Sequence, residues 1–405
     1  MRKVLLVTYH FPPSGAVAVY RLIALARYLP TFGWQPVIVA PPRVPWEPED
    51  ASLLTQVPPE TPIERVPFAE GFFGKVQRYF APEAHWLLKA RAACRRMIHD
   101  HRPDAIITTS PPNCVHLLGL RLHKRFGLPW LADFRDPWFT NRTQADQIRL
   151  GRCQRWLEAT VMQRATVLIA NTPLNQKGWA AAYPQEVAKM VTITNGFDPE
   201  RFGAAPDAKP IGNVVSILHA GEIYYGRDPR PLLDAIQPLQ TGPADARLPL
   251  EFDFVGRSSG LSFDLATEIR QRNLDAWVKV SGQIPYTEAI TRMVRADILL
   301  LMHTPDYRIG VPAKLYEYLG AGRPILALAE PDGDVAWVLR ESKVLHRIAP
   351  PRDVERIRQA VLELTREVQA GSPAVPDRAA LEQFTRERMA KRFAECLDRI
   401  APLAA

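Results

Sequence analysis

Gly310-Val311-Pro312-Ala313-Lys314-Leu315-Tyr316-Glu317-Tyr318-Leu319-Gly320-Ala321-Gly322-Arg323-Pro324-Ile325 reads as a short helix that leaves a loop and is halted abruptly. Pro312 suits the first helical turn, where its missing N–H costs nothing. Gly320 and Gly322 offer left-handed stop positions, and Pro324 forbids continuation. Residues 325–329 (Ile-Leu-Ala-Leu-Ala) then read as a buried strand. Leu315 and Leu319 fall on one side of the helix, while Lys314 and Glu317 share the other. An apolar face therefore docks the helix and leaves a cation and a carboxylate near its N-terminus. Unpaired N–H groups and positive potential at that end suit a phosphate. A carboxylate one turn deeper suits a ribose diol. The competing reading is a solvated Lys–Glu pair, worth roughly 0.2–0.5 kcal/mol.

Outward from this stretch the chain alternates strand and helix. Residues 3–8 are a β-like apolar run, despite a superficial likeness of the first residues to a signal peptide. Residues 16–29 repeat apolar positions at helical spacing (Val19, Leu22, Ile23, Leu25, Ala26, Leu29), and 36–40 form a second strand. Strand, helix, strand in so short a span is a βαβ unit and implies a parallel sheet. Further strands are expected at 105–109, 130–132, 167–170 and 191–194. The Pro/Ala/Gly-rich residues 203–213 read as a linker, after which the alternation restarts with strands at 214–220, 250–255, 278–281 and 298–302. Helices are expected at 228–236, 262–272, 286–295, 353–369 and 381–400. The expected organisation is an N-terminal domain 1–202, a linker 203–213, a second domain 214–380, and a C-terminal helix 381–405.

The chain has 405 residues, enough for two domains, with 47% hydrophobic and 23% charged residues, an ordinary soluble composition. Cys94, Cys114, Cys153 and Cys396 form no metal-ligand spacing or disulfide framework, so no metal site is expected and a reducing compartment fits. No apolar run is long enough to span a membrane. The formal charge of +8 is uneven: residues 1–200 carry 24 Lys+Arg against 16 Asp+Glu, and the remainder is balanced. A basic first half suits an anionic acceptor or lipid headgroups, or serves solubility alone. Nucleic acid is not expected, because the basic residues are scattered and no reading module is present. Residues 72–101 are helical, basic and aromatic. They suit either a membrane surface or a packing helix with an Arg-rich outer face.

Three glycine-bearing loops follow strands. His10-Phe11-Pro12-Pro13-Ser14-Gly15 lacks the dinucleotide fingerprint, yet Gly15 at a helix start could admit a phosphate to backbone N–H groups. His219-Ala220-Gly221 leads through Gly226 to Arg227 at the C-terminal end of a strand, where open α/β sheets place ligands. Arg227 suits a diphosphate, or pairing with Asp228. Gly256, after the next strand, is a weaker candidate. On the first-domain side, Asp133 and Asp136 follow an apolar strand and suit proton acceptance or orientation of a hydroxyl. Their alternative is an internal Asp133–Arg135–Asp136 network. His116 is a candidate base, or a structural histidine.

Taken together, these segments resemble the GT-B glycosyltransferases of the family 4 group. The resemblance is carried by Phe11-Pro12-Pro13-x-Gly15 with Arg21, Asp133-Phe134-Arg135-Asp136-Pro137-Trp138, Asn195-Gly196-Phe197-Asp198, His219-Ala220-Gly221…Gly226-Arg227-Asp228, and Val311-Pro312-x-Lys314-x-x-Glu317-Tyr318-Leu319. They occur in family order over residues 1 to about 330. The resemblance implies an α/β protein of two Rossmann-like parallel-sheet domains facing a central cleft, with a C-terminal helix crossing back to the first. It implies a nucleotide-sugar donor held mainly by the second domain, with no cofactor and no catalytic metal. Carried over by position, Glu317 binds the ribose, Arg227 and Lys314 hold the diphosphate, Gly15, Gly221 and Gly256 approach the donor, and Ile284 contacts the base. His116, Asp133, Asp136, Arg227 and Lys314 form the expected catalytic set.

One position departs from the family. Ile309 stands where many members have a first Glu, with Asp306 near but out of register. The implied activity is transfer of a sugar to a hydroxyl with retention, in polysaccharide or glycolipid assembly. A lipid-linked acceptor is among the candidates, and the implied location is the cytoplasm or the inner membrane face. The rival readings are a nucleotide-sugar 2-epimerase of the same fold and a non-enzymatic nucleotide-sugar-binding module.

Overall fold

The structure is a computed structural model, and it describes residues 1–44, 47–68, 82–203, 214–224, 226–242, 247–258, 260–371 and 377–402. Most of the expected linker, and residues 72–81 of the basic aromatic segment, lie outside these. The chain forms two compact units, Met1–Asn195 with Arg386–Ala405, and Gly196–Thr385. The division falls at the Asn195-Gly196 turn, ahead of the expected linker. The reason lies in Phe197, which is buried in the second unit's core and donates its N–H to the Phe384 carbonyl at 2.9 Å.

Unit 1 runs β1 (Arg2–Thr8), α1 (Val19–Tyr28), β2 (Trp34–Ala40), β3 (Ile63–Arg65), α2 (Pro82–His101), β4 (Ala105–Ser110), α3 (Val115–Phe126), β5 (Trp130–Phe134), α4 (Gln144–Arg164), β6 (Val167–Ala170), α5 (Pro173–Ala182) and β7 (Met190–Thr192). The sheet order is β3-β2-β1-β4-β5-β6-β7, every pair parallel. Apolar cores lie on both faces, as a parallel sheet requires. Helix α1 starts at Val19, three residues later than its apolar spacing predicts. The preceding turn is tied instead to a neighbouring loop: Gly15 N–H donates to the Pro48 carbonyl at 2.7 Å, and Asp50 N–H to that of Pro13. Trp86 of α2 is wholly buried and donates its indole N–H to the Val66 carbonyl, so this helix packs inward.

Unit 2 runs β8 (Val215–Ala220), α6 (Arg230–Thr241), β9 (Leu250–Val255), α7 (Leu265–Gln271), β10 (Val278–Gly282), α8 (Tyr286–Arg295), β11 (Ile298–Met302), α9 (Ala313–Ala321), β12 (Ile325–Leu328), α10 (Asp334–Ser342), β13 (His346–Ala349), α11 (Val354–Gln369) and α12 (Arg378–Glu382). Its order, β10-β9-β8-β11-β12-β13, is also wholly parallel. The expected single helix at 381–400 is broken at Phe384. Helix α13 (Arg386–Ile400) belongs to unit 1, where Met389, Phe393 and Leu397 pack with α1 residues. No helix among the described residues is long and apolar enough to cross a membrane.

Helix α9 is the element predicted from its own sequence, with two adjustments. Pro312 is the extended N-cap, one residue outside the helix. Only Gly322 is a left-handed stop (φ 64°), whereas Gly320 is helical and close-packed, since a Cβ there would overlap the Phe202 ring. Leu315 and Leu319 are fully buried, each contributing about 1.5–3 kcal/mol. Tyr318, also buried, accepts from Ala220 N–H at 2.9 Å and donates to the Leu300 carbonyl at 3.1 Å. Tyr318→Phe strands the Ala220 N–H and leaves the Leu300 carbonyl to its bond from His219, and urea denaturation is expected to register a loss of about 1–3 kcal/mol. An unchanged midpoint would mean that water replaces the hydroxyl.

Candidate active site

In unit 2 the chain order reverses between β8 and β11, the place where open α/β sheets leave a crevice at their C-terminal edge. The β8–β11 ladder pairs Ile298 with Ile217 and Leu299 with Leu218 and goes no further. Beyond it the strands splay. Tyr318 fills part of that opening, and His219 fills the rest. His219 is wholly buried, with Nδ1 2.9 Å from the Leu300 carbonyl and Nε2 3.1 Å from Lys314 Nζ. A carbonyl only accepts, so Nδ1 carries the hydrogen and Nε2 offers a lone pair to the ammonium. Burial and the Lys314 charge hold the imidazole pKa well below the usual range.

The ammonium lies over Gly221, where a Cβ would overlap Lys314 Nζ and where φ of 135° excludes other residues. Gly256 (φ 139°) allows the next strand end to abut Gly221, since a Cβ there would overlap the Gly221 carbonyl. Both glycine N–H groups are engaged, Gly221 with the Val255 carbonyl and Gly256 with that of Gly282. The two glycines therefore make room for Lys314 and for each other. Arg227 is 9% exposed, rests 4.2 Å over the Tyr224 ring, and its buried Nε has no partner among the described residues. Burial lowers its pKa. Burial and the charge of Arg227 bring Lys314 down to about 7, against an upward pull from Glu317 and Glu222. The same cation, after burial, depresses His303 to about 4. Two cations thus crowd one place beside the N-terminus of α9, whose first turn holds no acid and whose cap has no side-chain bond. That arrangement suits a multiply charged anion.

Glu317, one turn on, accepts from the Tyr286 hydroxyl at 2.9 Å. Tyr286 also receives Arg201 over its ring and at its oxygen. Burial and then Glu317 raise the tyrosine's pKa. Ile284 packs on the apolar cluster beneath the turn that leads into α8. Asp306 does not substitute for the missing Glu, because it is exposed and paired with Arg352 at 2.9 Å. The loop ahead of α9 is held instead by buried Asp334, which accepts from Gly310 N–H at 2.9 Å.

In unit 1 the corresponding reversal lies between β1 and β4. The expected acceptor-side residues divide there. Asp133 is wholly buried and spent on Arg21, with Nη2 to Oδ1 at 2.8 Å and Nε to Oδ2 at 3.0 Å, and on the Thr109 hydroxyl. It is a structural carboxylate with no access to a substrate proton. Among the described residues no hydrogen bond joins Arg135 to Asp133 or Asp136, although both carboxylates act on its charge. Arg135 donates to the Ser110 and Ala18 carbonyls, leaving buried Nη2 without a partner, and burial lowers its pKa to about 10. Asp136 is exposed. His116 is wholly buried, 2.8 Å from the Thr108 hydroxyl and packed on the Phe134 ring, and burial followed by Arg135 brings it to about 3. It is therefore neutral and sealed from solvent. Gly15 N–H, bound to Pro48, is not free to meet a phosphate.

The sequence reading missed His219's role, Tyr286, and a polar cluster at the C-terminal ends of β1, β4 and β5. There the buried Tyr9 hydroxyl, Ser110 Oγ, Asn113 Oδ1 and Arg135 Nη2 lack partners among the described residues. His10 Nδ1 lies 2.7 Å from Glu47 Oε1. Burial pushes the Glu47 pKa up, but the bonds from His10 and Ser14 outweigh it and the carboxyl stays below its usual range.

Residues 15–196 match the glycosyl transferase 4-like domain family. The match covers most of unit 1 and is a likeness of that unit to the domain. The whole chain has the GT-B fold. A glycosyltransferase from Rickettsia africae ESF-5 is 13% identical over 100% of this chain and 99% of that one, with a TM-score of 0.68. Anabaena HepE, crystallised with UDP, is 15% identical over 98% and 100%, with a TM-score of 0.66. Sucrose-phosphate synthase from Thermosynechococcus elongatus is 16% identical over 98% and 99%, with a TM-score of 0.67. No curated protein matches the sequence. In unit 1, the two aspartates expected to act together separate by substitution. Asp133→Asn leaves Arg21 buried and unpaired and should cost about 3–5 kcal/mol in denaturation, whereas exposed Asp136→Asn should stay within about 0.5 kcal/mol.

Proposed function

We propose that the protein transfers a sugar from a nucleotide-diphosphate donor to a hydroxyl acceptor. The observation that carries this is the crowding of Lys314 by buried Arg227 at the splayed ends of β8 and β11, with Glu317 one turn along the same helix as Lys314. A diphosphate meets both cations, and the Glu317 carboxylate is set to accept from ribose hydroxyls once Tyr286 yields. As the glycosidic bond to the diphosphate breaks, negative charge grows on the leaving oxygen, and cations already in place stabilise it without reorganising. The acceptor hydroxyl is assigned to the unpartnered polar atoms of Tyr9, Ser110, Asn113 and Arg135 in unit 1, with Asp136 and the His10–Glu47 pair as the available proton acceptors. Retention of anomeric configuration rests on the family resemblance.

Anabaena HepE has been crystallised with UDP-glucose as well as UDP, so uridine nucleotides head the panel to test. A thermal-shift series of UDP-, GDP-, ADP- and dTDP-sugars should give one nucleotide that stabilises by about 2.7 kcal/mol at ~100 times its dissociation constant. Glu317→Ala should weaken that binding. A sugar epimerised in the absence of any acceptor would support the epimerase instead, and Glu317→Ala with full affinity the binding module.

We also propose that the acceptor is met at an anionic lipid surface through α4. Ile148 is 75% and Trp156 65% exposed on this helix, and Arg149, Arg152 and Arg155 are exposed beside them. Beyond the break at Gly151, Arg152, Arg155 and Trp156 share one face. Phosphatidylglycerol vesicles should co-sediment the protein, phosphatidylcholine vesicles should not, and Trp156→Ser with Arg152→Ser should abolish the difference.

A further inference from the structure

Lys314 and His219 come from different elements, α9 and β8, and meet where nothing in the helix alone would hold a lysine still. A lysine side chain has four rotatable bonds and its ammonium prefers water. Here Nζ is 3.1 Å from His219 Nε2, its path is cleared by Gly221, and the far side of the imidazole is pinned to the Leu300 carbonyl at 2.9 Å. The Leu300 carbonyl also receives the Tyr318 hydroxyl, so the ring and the helix share one backbone anchor. The charged groups around the ammonium are Arg227 and Glu222 from the loop after β8 and Glu317 from α9, with buried His303 on the Arg227 side. None of these is a neutral acceptor aimed at Nζ; His219 is.

We propose that His219 is the positioning residue for the diphosphate-binding lysine. Its Nε2 lone pair fixes the Lys314 ammonium above Gly221 and keeps it protonated against the repulsion of Arg227. This rests on the reading of Lys314 as a diphosphate ligand. His219 itself touches no substrate. Without a hydrogen-bond acceptor, an ammonium crowded by a guanidinium sheds its proton more readily. The lysine then meets the anion neutral and unplaced. An arriving anion needs the cation, so affinity falls as pH rises through the lysine's midpoint near 7.

The test has two independent arms on the full-length protein. The first needs no nucleotide. Acylation of Lys314 by limiting acetic anhydride is followed against pH by peptide mass spectrometry in wild type, His219→Phe and His219→Gln. The midpoint is expected near 7 in the wild type and lower by about one unit or more in His219→Phe. His219→Gln, which keeps an acceptor within reach of Nζ, should fall nearer the wild type. A Phe variant with the wild-type midpoint overturns the proposal. If the Phe variant does not fold, His219→Leu, which also lacks an acceptor, takes its place: a lowered midpoint supports the proposal, and one displaced in neither midpoint nor UDP affinity overturns it. The second arm is calorimetric titration with UDP. His219→Phe should bind roughly 10- to 100-fold more weakly at neutral pH, the scale of one charged hydrogen bond, and its affinity should begin to fall at lower pH. Should UDP and the other nucleotides fail to bind the wild type while the acylation midpoints shift as expected, the functional reading falls and the role of His219 in placing Lys314 stands.

Discussion

The Tyr318 hydroxyl holds together the part of the molecule on which the proposed chemistry depends. Strands β8 and β11 part after Leu299, leaving the Ala220 N–H and the Leu300 carbonyl without ladder partners. A buried backbone group in that condition costs about as much as a lost hydrogen bond. Tyr318 satisfies both groups from a single atom, and His219 takes the second lone pair of the Leu300 carbonyl. The repair of the sheet thereby fixes the roll of α9 about its axis. With Tyr318 facing the splay and Leu315 and Leu319 facing the core, Lys314 is turned over Gly221 and Glu317 toward Tyr286. Fold stability and site geometry are in this sense one set of contacts.

Unit 1 spends a buried cation differently. Arg21 of α1 takes Asp133 of β5 in a bidentate pair and also donates to the carbonyls of Ile193 and Thr194 and to Met389 of α13. The chain's exit from the unit and its return are thus tied to α1 by one buried guanidinium. Its charge is consumed by Asp133, so this pair is architecture. In unit 2 the two cations have no such acid buried against them among the described residues. The contrast separates two expected site residues: Asp133 is locked into the frame of unit 1, while Lys314, expected beside a phosphate, stands next to a second cation.

Much of this was legible in the sequence because it is periodic or punctuated. The central strands carry unbroken apolar runs, and α9 has its proline at one end and Gly322 at the other. The elements that escaped notice are those whose own residues say little. Strand β13, His-Arg-Ile-Ala, is polar and at a sheet edge, and α4 is interrupted at Gly151. The site was legible where one element carries both partners, as with Lys314 and Glu317. It failed where the partner comes from afar. Arg21 lies 112 residues from Asp133, and His219 lies 95 from Lys314. Gly15 misled because nothing in its own stretch announces that the Pro48 carbonyl will claim its N–H.

The unneutralised cations also bear on how such a site survives folding. Holding Arg227 and Lys314 together in a buried place opposes stability, and the lowered pKa of the lysine, due first to burial and then to Arg227, is the trace of that opposition. Proteins retain local conflicts of this kind mainly where function needs them. A neutral histidine is well suited to the spot. A carboxylate in place of His219 would pair with the ammonium and neutralise the charge that an anion must find, while an apolar side chain would leave the ammonium unsolvated. An imidazole pinned at Nδ1 offers one lone pair and no charge, so it steadies the lysine yet leaves its positive charge available to a stronger acceptor.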